Sequence, residues 1–366
     1  MQKYKKICIC AKKCVTLRDF LVESMKKGFI FIVFLLIIGL GAIVGNRYYR
    51  LNYSNFTSKD GESHGYYLYP GVTTDSVLHL LQADYEVGSV RQWERHIQKL
   101  ELETVEPGYY KFPAKMGDKV LIRRLKLGEE TPVKLSFTHY LRTPEQLAGH
   151  ISKQLLLDSA EIASRMYDAA FMATYGLKPE TAITLFLPDT YEVYWSMTAD
   201  QLFVRMAKEY KRFWTDERKN KAAAKKMSQS EVATLASIVE SETNKQEEYP
   251  TIASIYLNRI RLGIPMQACP TVIFAQRDFN KRRVLKKDLE FDSPYNTYKH
   301  RGLPPGPIRC TRKSTIDAVL DAPKTDYLYM CANPDFSGTH VFTKSLREHQ
   351  RVAAQYQREL NKRHVR

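Results

Sequence analysis

Residues 232–242 read Val-Ala-Thr-Leu-Ala-Ser-Ile-Val-Glu-Ser-Glu and follow Ser228 and Ser230, either of which can cap a helix. Leu235, Ile238, Val239 and Glu242 fall at i, i+3, i+4 and i+7, so they share one face of that helix. The face is otherwise apolar, which carries Glu242 toward a hydrophobic surrounding. Burial disfavours a charged carboxylate and raises its pKa. A carboxylic acid kept protonated near neutral pH is what general acid catalysis requires, for instance at a glycosidic oxygen. Glu240 lies roughly 200° away around the helix, at about 100° per residue, on a stripe with Ala233, Ala236 and Ser237. Two carboxylates so placed cannot flank one bond as a retaining glycosidase pair does. Spacing alone is equally consistent with two surface glutamates at a helix end.

A second helix is expected from Tyr249-Pro250 to Arg261, stopped by Gly263. Beyond it lie two segments rich in turn and polar residues. One is Met266-Gln267-Ala268-Cys269-Pro270-Thr271-Val272-Ile273. The other is Ser293-Pro294-Tyr295-Asn296-Thr297-Tyr298, followed by Gly302-Leu303-Pro304-Pro305-Gly306-Pro307-Ile308. Amides and hydroxyls suit sugar hydroxyl and acetamido groups, and tyrosine rings suit sugar faces. Gln267, Thr271, Tyr295, Asn296 and Thr297 are therefore candidate substrate-binding residues. Upstream, Thr198 or Asp200 caps a helix over 202–213, and the lysine-rich stretch 214–228 reads as an exposed connection. Between about 65 and 160, short strands alternate with capped helices: Tyr66 to Tyr69, a helix behind Thr74-Asp75-Ser76, Tyr109 to Phe112, a helix behind Asp118, Lys134 to Thr138, and a helix opened by Thr143-Pro144. The fold class expected is α+β.

Residues 28–45 read GFIFIVFLLIIGLGAIVG without a charge. About 18 residues span roughly 27 Å as a helix, close to the hydrocarbon thickness of a bilayer. No small-residue cleavage site follows, so the segment reads as a single transmembrane anchor. Lys3, Lys5, Lys6, Lys12, Lys13, Arg18, Lys26 and Lys27 precede it against Asp19 and Glu23, which keeps the N-terminus in the cytoplasm and places the rest outside the inner membrane. Met25-Lys26-Lys27 would also serve as an ordinary start for such an anchor. The organisation expected is a tail over 1–27, an anchor over 28–45, a polar stalk over 46–65, an α+β module over 66–160 and a mainly helical domain over 161–366. The formal net charge of +16 implies an anionic partner, and the topology excludes nucleic acid. Cys8, Cys10 and Cys14 precede the anchor, while Cys269, Cys310 and Cys331 lie near the end. With no C-x-x-C pair, neither a structural zinc site nor a disulfide scaffold is expected.

Taken in order, several stretches resemble the endolytic murein transglycosylase, or YceG-like, family. They are Leu185 to Glu192, Leu235 to Thr243, Ile252 to Ile260, Met266 to Ile273, Tyr295 to Tyr298 with Gly302 to Ile308, Ala322 to Tyr329, and His340 to Thr343. The resemblance covers roughly 180–360. It implies cleavage of the β-1,4 bond between N-acetylmuramic acid and N-acetylglucosamine without water: the muramic 6-hydroxyl attacks its own anomeric carbon and leaves a 1,6-anhydro end. One carboxyl group serves both proton transfers, so no second carboxylate and no cofactor is needed. The essential glutamate of the family maps to Glu240 or Glu242, and the apolar stripe favours Glu242. The resemblance adds Asp189 and Glu192 as substrate-binding candidates, peptidoglycan strands as substrate, the glycan synthase machinery as a partner and a LysM-like character for the membrane-proximal module. Two departures stand out. Cys269 replaces the family's Asp before Pro-Thr, and 114–140 diverges. The first keeps a non-catalytic wall-binding scaffold as the alternative expectation.

Overall fold

The computed structural model describes residues 17–281 and 283–362. Cys8, Cys10, Cys14 and the basic residues ahead of 17 lie outside the described residues. The chain divides into two compact units, one ending at Thr131 and the other starting at Pro132.

The first unit begins with α1 (Leu17–Tyr49), a 33-residue helix. Among the described residues it alone is long and apolar enough to cross a membrane. It overruns the expected apolar core of 28–45 at both ends. Phe29, Leu36 and Ile43 are each about two-thirds exposed, so nothing among the described residues covers its apolar surface. A π-helical turn, Arg50–Ser54, follows. The stretch expected as a stalk over 46–65 is folded instead: β1 (Phe56–Ser58) is the central strand of a three-stranded antiparallel sheet with β3 (Tyr85–Val87) and β5 (Lys115–Met116). The cause is Phe56, fully buried and edge-on to Trp93 with ring centroids 5.5 Å apart. A second sheet pairs β2 (His64–Leu68) with β4 (Gly108–Phe112). Helices α2 (Thr74–Asp84), α3 (Val90–Leu100) and α4 (Asp118–Leu127) supply Leu81, Trp93, Leu121 and Leu125 to the shared core. Asp118, fully buried, accepts hydrogen bonds from Asn55 and Gln92 at 2.7 and 2.9 Å, which ties the chain leaving α1 to this core.

The second unit starts earlier than the 160/161 boundary expected from sequence, because β6 (Val133–Ser136) pairs with β7 (Thr190–Val193). Between them lie α5 (Pro144–Ser152), α6 (Ser159–Tyr167), α7 (Ala169–Ala173) and a 3-10 turn at Pro179–Leu185. Helices α8 (Ala199–Phe213), α9 (Asp216–Ala224), α10 (Gln229–Glu242), α11 (Tyr249–Arg261), α12 (Cys269–Gln276) and α13 (Lys313–Leu320) follow. The hairpin of β8 (Tyr329–Ala332) and β9 (His340–Thr343) precedes α14 (Leu346–Lys362). The stretch expected as an exposed connection over 214–228 contains α9. Its N-cap Thr215, the Lys221–Glu217 pair at 2.9 Å and the Arg218–Asp317 pair at 2.7 Å hold a sequence poor in apolar residues in helical form.

α10 is the axis of this unit, with α9, α11, α12 and α13 packed against it. A capping box of Ser228 and Glu231 starts it, and every residue from Val232 to Glu240 is buried. The proline-rich loop at 302–308 lies on this helix, where Ile308 N donates to Ser237 Oγ at 3.0 Å. Gly306 lets the same loop press on the 3-10 turn at Pro179–Leu185, since a Cβ there would fall 1.9 Å from Glu180 O. Gly306→Ala should destabilise the unit by about 3 kcal/mol, the upper end for overpacking. A thermal melt within a degree of the parent would refute this tight approach.

Candidate active site

α10 ends by delivering two glutamates to different surroundings. Glu240 is 4% exposed, yet its carboxylate is countered. Arg312 N donates to Oε2 at 3.0 Å, and the Arg312 guanidinium Nε lies 3.2 Å from Oε1. Burial raises the pKa of Glu240, while Arg312 and Arg309 pull it back. This is a structural ion pair, in which removal of one partner strands the other charge.

Glu242, at the last helical position, is half-buried on the floor of a groove. Among the described residues its carboxyl group has one direct hydrogen-bond partner, Tyr256 Oη, which donates to Oε1 at 2.6 Å from the buried face of α11. Burial lifts its pKa from 4.5 to about 7, against the smaller opposing pull of Tyr256 and His340. Glu242 and His340 border two adjoining clefts. One, of about 360 Å³, is lined by Tyr256, Arg259, Gln267, Cys269, Tyr298 and Tyr329 among others; the second, of about 340 Å³, by Ser241, Thr243, Asn244, Lys245 and Gly338. The carboxyl group therefore borders both clefts.

The groove walls are braced from behind. His340 Nδ1 is 2.9 Å from Glu248 Oε2, and its backbone N donates to Glu248 Oε1 at 2.6 Å. Glu248 is buried and also accepts from Thr243 Oγ1 at 3.2 Å. Arg259 donates to the carbonyls of Pro265 and Leu328, both at 2.9 Å, and to Gln267 Oε1 at 2.5 Å. Gln267 holds a left-handed backbone, φ +57°, a conformation that non-glycine residues keep only where their surroundings enforce it. Cys269, exposed at the start of α12, lies with its Sγ 3.1 Å from Tyr298 Oη. Cys269, Cys310 and Cys331 are free thiols.

The other residues singled out from sequence take varied places. Thr271, Asn296 and Thr297 are buried, and their polar groups serve the protein itself. Thr271 Oγ1 donates to Ala268 O at 2.7 Å, Ala268 N donates to Thr297 Oγ1 at 3.0 Å, and Asn296 Nδ2 donates to Leu289 O and Phe291 O at 2.8 Å. They hold the 293–298 loop against the start of α12. Tyr295 packs on Phe274 with ring centroids 4.8 Å apart, and Tyr298, three residues on, lines the groove. Glu192 is exposed on β7, and Asp189 pairs with Lys313 at 2.5 Å beside a separate cavity. Sequence reading did not single out Tyr256, Arg259, Tyr298, Glu248 or His340. Each joins the site through a contact distant in sequence, although Tyr256, Arg259, Tyr298 and His340 stand inside stretches already noted.

The family model of the YceG-like family matches residues 66–355, and the chain belongs to this family. It is 27% identical to the endolytic murein transglycosylase of Bacillus subtilis (strain 168) over 303 residues, 78% of this chain and 82% of that protein. It is 24% identical to the endolytic murein transglycosylase of Streptococcus pneumoniae serotype 2 over 287 residues, 69% of this chain and 51% of that protein, so it spans about half the pneumococcal relative's length. A crystal structure of a yceG-like protein from Listeria monocytogenes superposes with a TM-score of 0.54 at 28% identity, over 80% of this chain and 99% of that one.

The proton on Glu242 is testable through stability. Its folded pKa, about 7, lies above the ordinary 4.5, so the folded state retains a proton through that window. Stability is complete below pH 4.5 and falls as pH rises through 7. Glu242→Gln does not titrate, so it should gain on the parent from pH 5 to pH 8 by up to about 3 kcal/mol. Parallel melting curves at both pH values would contradict a buried, protonated Glu242. Tyr256→Phe removes a hydrogen bond that favours the ionised form and should move the Glu242 titration above 7; a downward move would contradict the assigned role.

Proposed function

We propose that this chain is a membrane-anchored endolytic murein transglycosylase with Glu242 as its single acid/base. The observation that carries the reading is a carboxyl group held near pKa 7 where two adjoining clefts meet at Glu242 and His340, in a chain whose curated relatives bear that activity in their names. Glu242 donates its proton to the glycosidic oxygen as the bond between muramic C1 and that oxygen breaks. The muramic 6-hydroxyl oxygen then bonds to C1, and its proton passes to the Glu242 carboxylate, which restores the starting state and leaves a 1,6-anhydro end. No water is consumed. Proton donation comes first, so turnover requires protonated Glu242 and declines as pH rises through about 7.

Tyr256 orients the carboxyl group, while Tyr298 and Tyr329 offer ring faces and Gln267 an amide to the sugars. Thr271, Asn296 and Thr297 act by holding the loop that carries Tyr298. The apolar α1, with basic residues at its N-terminal side, anchors the chain in the inner membrane, with the N-terminus in the cytoplasm and the residues after α1 outside it. We read the membrane-proximal unit, with its short paired strands and capped helices, as a LysM-like wall-binding module. From that position the enzyme would cut nascent strands beside the glycan synthases, setting strand length and releasing the product.

The test uses the full chain in detergent with uncrosslinked glycan strands, the new ends being identified by mass. Anhydro ends are expected; reducing ends would mean hydrolysis, and strand binding without cleavage would leave a scaffold. Glu242→Gln should lower the rate by about 10³-fold or more, in line with loss of an acid/base group. Glu240→Gln, which strands Arg312, should instead lower the melting temperature and still give the parent's product. The reverse outcome would move the acid to Glu240.

A further inference from the structure

Glu242 does not stand alone where the two clefts meet. Of the described residues lining them, Glu242 and His340 are the two that line both. His340 is half-buried on β9, and Glu248 clamps it from behind. One carboxylate takes two hydrogens of the same histidine: the backbone N donates to Oε1 at 2.6 Å, and Nδ1 donates to Oε2 at 2.9 Å. A carboxylate only accepts, so Nδ1 carries the ring hydrogen, and in the neutral imidazole Nε2 keeps its lone pair. The clamp also sets the direction of the ring. With Nδ1 turned to Glu248, Nε2 lies on the ring edge away from it. Among the described residues Nε2 has no hydrogen-bond partner. Glu248 is itself buried. A carboxylate held against Nδ1 is the arrangement by which a protein chooses which ring nitrogen stays free.

The two residues at the junction offer opposite things as the reaction begins. Glu242 holds the proton that it gives to the glycosidic oxygen, so its carboxyl group is a donor at that moment. The muramic 6-hydroxyl needs an acceptor, which turns a lone pair of O6 toward C1. The free Nε2 is such an acceptor at the same junction. A charge on His340 pulls the Glu242 pKa down, so the two groups lie within electrostatic reach of each other. We propose that His340 Nε2 accepts the hydrogen bond of the muramic 6-hydroxyl and aims O6 at C1, with Glu248 as the positioning residue that fixes the ring. The bond from C1 to the glycosidic oxygen breaks, and the Glu242 proton goes to that oxygen. The C1–O6 bond forms, and the O6 hydrogen moves to the Glu242 carboxylate, now the stronger acceptor. His340 ends as the neutral ring it was at the start. This rests on the murein reading above and deepens it: His340 favours attack by the sugar's own hydroxyl over attack by water.

The experiment measures kcat, KM and the ratio of anhydro to reducing ends for the full chain on uncrosslinked strands. His340→Ala should lower kcat about 10²-fold, the cost of misaligning a reacting group. KM should stay at the parent's value, and reducing ends should appear as water reaches C1. Glu248→Gln keeps the shape of the clamp and guards against a folding defect in the first variant. Its amide oxygen takes the His340 backbone N–H, which turns the amide NH2 toward Nδ1. The ring hydrogen then moves to Nε2, which no longer accepts, so the same loss of kcat at unchanged KM is expected. His340→Gln, with an amide oxygen to accept in place of Nε2, should recover part of the rate. Parental kcat with anhydro ends alone in His340→Ala would overturn the proposal and leave the transglycosylase intact. A raised KM at parental kcat would make His340 a binding residue and overturn it likewise, as would a parental rate in Glu248→Gln. Failure of the parent itself to give anhydro ends would refute the murein reading and this role with it.

Discussion

A helix buried on every side cannot carry two bare carboxylates, and α10 carries Glu240 and Glu242 within three residues. An ionised carboxylate in an apolar surrounding costs several kcal/mol unless it is paired, or else it takes up a proton. The protein uses both remedies. Glu240 receives the backbone N–H and guanidinium of Arg312. Among the described residues Glu242 receives only the hydroxyl of Tyr256, and burial lifts its pKa to about 7. The difference in partners, more than any difference in burial, separates the countered Glu240 from the Glu242 that keeps its proton. By accessible surface Glu240 is the more buried of the two.

That division organises the surrounding elements. The loop at 302–312 must lie along the Glu240 side so that Arg312 can reach it, and Gly306 lets that loop pass close over Glu180 on its way. α11 must present Tyr256 on the Glu242 side, and the β8–β9 hairpin must bring His340 to the groove, where Glu248 fixes it. Each brace is a buried or half-buried polar contact that depends on several others, as expected of a preorganised site.

Local rules in the sequence already announced much of this. Of Ser228 or Ser230 and Thr198 or Asp200, the structure takes Ser228 and Thr198 as the N-caps of α10 and α8; Thr143 caps α5 ahead of Pro144, and α11 stops ahead of Gly263, whose φ is +66°. These signals act within one helical turn and need no tertiary knowledge. The helix α9 escaped because its stability comes from ion pairs and from Asp317, almost a hundred residues away. β1 escaped because a three-residue strand around Phe56 has no periodicity to read. The groove was the least legible part. Hydroxyl and amide chemistry looks identical whether it faces a sugar or a neighbouring carbonyl, so Thr271, Asn296 and Thr297 could not be told from groove residues. Arg312 and Glu240 are 72 positions apart, and no spacing rule connects them.

Cys269 follows from the same electrostatics. A carboxylate at that position would lie in the groove with Glu242, and two like charges at close quarters raise each other's proton affinity and titrate as a pair. A thiol avoids this. Burial pushes Cys269 upward from its ordinary value, and the Glu242 charge pushes the same way, so the sulfur stays protonated and neutral beside Tyr298. The proton of Glu242 then depends on its own burial, with Tyr256 and His340 as the trimming influences. A second carboxyl group is not needed to keep the first one protonated, because the packing of α10 against α11 and α12 already does so.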